Sequence, residues 1–108
     1  MNAVRAAGDG GVLAGVCSTV DAVGPEAVFL LRDVNSGVSA IVVVDNLAYG
    51  PAIGGVRMAS DVTVDEVARL ARAMTLKNAL ARIPDGGGKA GIVADPLMPA
   101  RDKEGVIR

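Results

Sequence analysis

The feature that most restricts the fold of this chain is one amphipathic helix bracketed by two glycine clusters. Thr63 and Glu66 form a T-x-x-E capping box, and Asp65 adds negative charge where the helix dipole is positive. The pattern that follows predicts a helix from Val64 to about Arg82. Val67, Leu70, Ala71, Met74, Asn78 and Ala81 recur on one face at the helical period, with Arg69 and Arg72 on the other side. Pro84 and the glycines behind it end the helix. The bracketing clusters are Gly50, Gly54 and Gly55 upstream and Gly86, Gly87 and Gly88 downstream.

Strands are predicted on both sides of this helix. Val12 to Val16 reads as a short strand. Ala27 to Val34 and Val38 to Asp45 read as strands joined by the Asn35-Ser36-Gly37 turn, an antiparallel hairpin. Val42 to Val44 are consecutive valines, the pattern of a strand buried on both faces. Gly55 to Met58 can be extended, and Lys89 to Ala94 reads as a further strand stopped by Asp95-Pro96. Residues 1–11 read as a loose start. Asp102 reads as the cap of another helix, with Val106 and Ile107 opening its apolar face just before the chain stops. The expected fold class is α/β: a small mixed sheet with one main helix packed on it. The expected organisation is a single domain over residues 1–108 that breaks off as an element begins.

Composition removes several function classes. Eleven basic residues stand against 12 acidic ones, so no excess charge exists to neutralise phosphates, and nucleic acid is not expected as a partner. Phe29 and Tyr49 are the only aromatic residues, too few for base stacking. With no histidine, His-based triads and His-containing zinc sites are excluded. Cys17 stands alone, which fits a reducing, cytoplasmic setting and rules out a disulfide framework or a Cys-rich metal site. The most apolar run, Ala40 to Val44, is far short of a membrane span, so no membrane contact is expected. At 51% hydrophobic in a short chain, some apolar surface is expected to face a partner, and a homo-oligomer, dimer or larger, follows.

The lysines point to chemistry. Eight arginines serve as the default cation, and the three lysines are Lys77, Lys89 and Lys103. Lysine, unlike arginine, can give up its proton when desolvated or placed beside another cation. Lys77 sits at the edge of the apolar stripe, and Lys89 follows the triple glycine and opens an apolar strand. The plainer alternative for each is a surface lysine whose stem lies along apolar neighbours. The Gly86–Lys89 run is not a phosphate loop. That motif needs Gly at Ile83, Ser or Thr at Ala90, and a strand before it with a helix after, the reverse of the order here. No G-x-G-x-x-G fingerprint occurs at Gly54-Gly55 either.

Three segments together carry a family resemblance: GPAIGGVRM at 50–58, DVTVDEVARLARAMTLKNAL at 61–80 and PDGGGKAGIVADP at 84–96. Their order, and the twelve-residue interval from Lys77 to Lys89, closely resemble the N-terminal, oligomerising domain of the glutamate/leucine/phenylalanine/valine dehydrogenases. The resemblance covers nearly half the chain, and the earlier strands fit the same domain in order.

It implies roles for particular residues. Lys77 would bind the α-carboxylate of an L-amino acid, and Lys89 would be catalytic, helping to activate water in oxidative deamination to a 2-oxo acid. Gly54, Gly55 and Met74 would line the substrate site. Glutamate-selective members typically carry a lysine at the position of Ile53, so the resemblance leans toward branched-chain and aromatic substrates. Ile53 can equally be a core residue. No residue here matches the family's acidic proton-transfer partner, and nothing in these 108 residues resembles its nucleotide-binding domain. No cofactor is therefore expected in this chain, although NAD or NADP is implied for a complete enzyme. Three readings remain open: a dehydrogenase piece that needs a separate nucleotide-binding domain or chain, a stand-alone oligomerisation module without catalysis, and an amino-acid-binding domain.

Overall fold

The structure is a computed structural model and describes residues 11–94. The start over residues 1–10 and the helix expected at Asp102 lie outside the described residues. Five strands and one α-helix follow a short 3-10 turn: β1 (Ala27–Arg32), β2 (Ser39–Asn46), β3 (Ala52–Ile53), β4 (Val56–Ala59), α1 (Val64–Leu80) and β5 (Gly86–Val93). The sheet is mixed, as the sequence predicts. β1 and β2 form the antiparallel hairpin, β5 pairs antiparallel to β2, and β3 and β4 pair parallel to β5 on its far side.

The helix begins where the capping box places it. Thr63 accepts a hydrogen bond from the Glu66 N–H at 3.2 Å. It ends at Leu80, two residues before the sequence estimate. Arg82 then takes a positive φ of 58°, and the Ile83 N–H reaches back to the Asn78 carbonyl. Val67, Ala68, Ala71, Thr75 and Asn78 are buried against the sheet. With Cys17, Ile41, Val43 and Val62 the apolar members of this set form a core of small side chains.

Three sequence expectations need correction. Val12 to Val16 is not a strand; Gly11–Gly15 is a 3-10 turn, its glycine content being poor strand material. Ala81 is exposed, because the chain has left the helix by that point. The third concerns the last strand, which starts at Gly86 rather than Lys89 and so takes in the triple glycine. A Cβ on Gly87 would strike the backbone N and Oγ1 of Thr75, and one on Gly91 would press into Val62 and Val67. The glycines are the seat on which α1 rests, and the absence of side chains lets helix and strand backbones approach closely.

Gly87→Ala should therefore lift the helix from the sheet and cost about 3 kcal/mol, near the upper end for overpacking because backbone, not a flexible side chain, is struck. Urea denaturation of the two proteins measures it; an unchanged midpoint would show that α1 does not depend on this seat.

Candidate functional site

β3 and β4 are two halves of one edge interrupted at Gly54-Gly55. Ile53 pairs with Gly87 and Val56 with Ala90, so the register runs on through the break and sets Gly54 beside Gly88 and Gly55 beside Lys89. The Ala90 N–H still donates to the Gly55 carbonyl at 3.1 Å. A Cβ on Gly54 would run into the Gly88 carbonyl. A Cβ on Gly55 would stand 3.1 Å from the Lys89 ammonium. Gly55 thus leaves open the space that the end of Lys89 uses.

Alternation along β5 fixes the face. Gly87 and Gly91 point at α1, so Lys89 between them projects to the same side. Ile53, level with Gly87, projects there too and is 42% exposed. The flank of α1 nearest β4 is marked by the Arg57–Glu66 ion pair. Lys77 lies eleven residues after Glu66, three turns on and within about 20° of it around the helix. Lys77 is exposed and Met74 half-buried, one turn from it along the helix. Lys77, Met74, Ile53, Gly54, Gly55 and Lys89 therefore all border the same open flank, between the C-terminal half of α1 and the β3–β4 edge. Gly55 and Lys89 are the pair for which the geometry gives direct proximity.

The opposite flank of α1 carries a network that sequence reasoning missed. Arg72 does not point to solvent. Its Nε donates to Asp45 Oδ2 at 2.8 Å, and its two terminal nitrogens donate to Asp21 at 2.9 and 2.8 Å. Thr75 Oγ1 also donates to Asp45 Oδ2, at 2.7 Å. Asp45 is 1% exposed, and its Oδ1 has no partner among the described residues. Asp45 follows Ile41 and Val43 on the helix-facing side of β2, and the pairing of β2 with β5 shifts at it, between Val44 and Asn46. A carboxylate ending a run of valines was the available signal. Asp21 is held down at a pKa of about 2, chiefly by the hydrogen bond from Arg72, and Arg72 is raised in turn.

The described residues do not fit a dinucleotide. The backbone of Gly86–Gly88 is paired within the sheet, with β3 on one side and β2 on the other. The nearby helix end is the C-terminal one, where Asn78 meets Gly86. Its carbonyls repel phosphate, whereas a phosphate site uses a helix N-terminus. Among the described residues no helix is long and apolar enough to cross a membrane.

Comparison with known proteins agrees with this architecture. A family model described as "Glu/Leu/Phe/Val dehydrogenase, dimerisation domain" matches residues 25–105. A valine dehydrogenase of Streptomyces virginiae is 43% identical over 77 residues, 68% of this chain and 22% of the relative. A phenylalanine dehydrogenase of Thermoactinomyces intermedius is 39% identical over 85 residues, 75% of this chain and 23% of the relative. The chain thus spans less than a quarter of the length of these two relatives. Among solved structures, the hetero-hexameric glutamate dehydrogenase from Thermus thermophilus in its Leu-bound form superposes with a TM-score of 0.69 at 34% identity. That match covers 77% of this chain and 22% of the other.

Because the Asp21 pKa is lowered to about 2 by folding, the ion pair to Arg72 stabilises the protein fully above the ordinary carboxylate value near 4. That contribution is lost as pH falls from about 4 to 2. Asp21 is 51% exposed, so screening limits the loss to about 1 kcal/mol. Asp21→Asn should flatten the stability profile in this window, read by urea midpoints between pH 2 and 5; an unaltered slope would show that the pair carries no acid sensitivity.

Proposed function

The chain belongs to the Glu/Leu/Phe/Val dehydrogenase family through its dimerisation domain, and from that premise we propose that it is the oligomerising and substrate-binding portion of an NAD(P)-dependent L-amino-acid dehydrogenase. The observation that carries this reading is the approach of Lys89 to the gap at Gly55, on the flank that also bears Lys77. In it, the Lys77 ammonium holds the substrate α-carboxylate. Lys89 takes a proton from the water that adds to the imino carbon, and the C–N bond of the resulting carbinolamine then breaks, releasing ammonia and leaving the 2-oxo acid. Gly54 and Gly55 let the substrate lie against backbone. Met74 and Ile53 supply an apolar wall suited to a branched-chain or aromatic side chain, not a second carboxylate. A nicotinamide cofactor would supply the hydride acceptor and would be held by a nucleotide-binding domain or chain, and the acidic proton-transfer partner would come from a segment beyond the residues matched here.

The test is a titration of the isolated chain with L-leucine, L-valine, L-phenylalanine and L-glutamate, following the amide signals of Gly55 and Lys89. The three apolar amino acids should shift these signals, glutamate should do so far more weakly, and Lys77→Ala should weaken binding at least tenfold. The chain alone should give no NAD(P)-dependent turnover. Shifts that survive Lys77→Ala, or no shifts with any amino acid, count against the substrate role and leave the oligomerisation module as the reading.

Assembly is proposed through β1. It is an edge strand paired only with β2 among the described residues, and Phe29, Leu30 and Leu31 are each more than half exposed. Such an edge is a template for pairing with another chain. In sedimentation at tens of micromolar the chain should be a dimer or larger, and Leu31→Glu should shift it toward monomer. A wild-type monomer would remove β1 as the contact.

A further inference from the structure

Where Lys77 stands relative to Lys89 depends on how α1 is registered along β5. Val67 lies over Gly91, Thr75 over Gly87, and Asn78 over Gly86. From Val67 to Asn78 the helix rises about 16.5 Å, and from Gly91 to Gly86 the strand extends about 16.5 Å. Helix and strand are therefore matched antiparallel rods along this whole contact. On the same scale Lys89 is level with residue 71, and Lys77 is about 9 Å further toward the helix C-terminus. Helical Cα–Cβ bonds tilt toward the N-terminus, which turns Lys77 back toward Lys89.

The contacts along this register are mostly without direction. Val62 and Val67 against Gly91 are apolar and oppose sliding weakly, and Gly87 packs against the helix backbone at Ala71 and Thr75 with no hydrogen bond to it. Thr75 is tied to Asp45, which belongs to β2 rather than to the lysine-bearing strand. The direct polar tie from α1 to β5 is Asn78. It is 2% exposed, and its Nδ2 donates to the Gly86 carbonyl at 2.8 Å. Asn78 follows Lys77 immediately, and Gly86 precedes Lys89 by three residues. A slip of one residue would turn Lys77 by about 100° and carry it off the open flank.

We propose that Asn78 is a positioning residue, whose hydrogen bond to the Gly86 carbonyl fixes Lys77 on α1 against Lys89 on β5. This rests on the reading of the two lysines as one substrate site. Leucine at position 78 has similar volume but leaves a buried carbonyl without its donor. Serine keeps a donor that is too short to reach it.

The experiment compares the wild-type chain with Asn78→Leu and, where that variant does not fold, Asn78→Ser. Folding is checked by the dispersion of the amide spectrum. A short amine-to-amine cross-linker then reports the Lys77–Lys89 separation by peptide mass spectrometry, and L-leucine titration reports binding. In a folded variant the Lys77–Lys89 cross-link should fall at least threefold and leucine affinity about tenfold. Thr63→Ala, which weakens the far end of the same helix, should leave both unchanged and so separates positioning from general loss of stability. No Lys77–Lys89 cross-link in the wild type, or an unchanged yield in a folded Asn78 variant, overturns the proposal. A wild type that cross-links but binds no amino acid overturns the substrate reading instead, and the cross-link comparison still decides the role of Asn78.

Discussion

The close seating of α1 on a strand without side chains is the contact from which the rest of the structure follows. Gly87 and Gly91 bring β5 against the helix at Ala71, Thr75 and Val67, closer than any side chain at those positions would allow. A core of valines and alanines is enough because the backbones themselves do much of the packing. That closeness also brings the amide of Asn78 to a strand carbonyl and the hydroxyl of Thr75 to Asp45. Over larger side chains those short polar groups would not reach.

The two flanks of the helix then differ in how their charges are used. On the β2 side, Arg72 is consumed by Asp21 and Asp45, and the alternation of β2 sets that carboxylate under the helix with Ile41 and Val43. Partnered in this way, the cation anchors the fold, and removing one member would leave a buried charge unbalanced. On the β4 side the edge is broken at Gly54-Gly55, Lys89 reaches the gap, and Lys77 stays exposed. One flank is closed by its own ion pairs, and on the other, beyond the Arg57–Glu66 pair, Lys77 and Lys89 make no ion pair among the described residues. The substrate role proposed for the open flank rests on the chain's membership in a dehydrogenase family.

The far edge of the sheet serves a different purpose. Leu30 faces the helix side with Ile41, while Phe29 and Leu31 face the opposite side with Val42 and Ala40. Apolar groups on both faces of an edge strand are unusual in an isolated domain and suit one built to be covered. The lysine-bearing flank and the apolar edge lie at opposite sides of the sheet, so the proposed assembly through β1 would leave that flank open.

Local chemistry in the sequence determined much of this. The capping box set the helix start, the Asn35-Ser36-Gly37 turn set the hairpin, and the helical period identified Val67, Ala71 and Asn78 as inward-facing. The three family-like segments identified the dehydrogenase domain, because motif order and spacing survive independently of packing. Only the tertiary structure decided what depends on distant partners. A triple glycine reads locally as a loop, and it is a strand because a helix backbone lies across it. Arg72 reads as a solvent-facing cation, and it is an anchor because Asp21 and Asp45 come to it from 51 and 27 residues away. The partner of the Lys89 ammonium, a gap at Gly55, exists only once parallel pairing sets residues 34 apart side by side, and no local pattern encodes such a register.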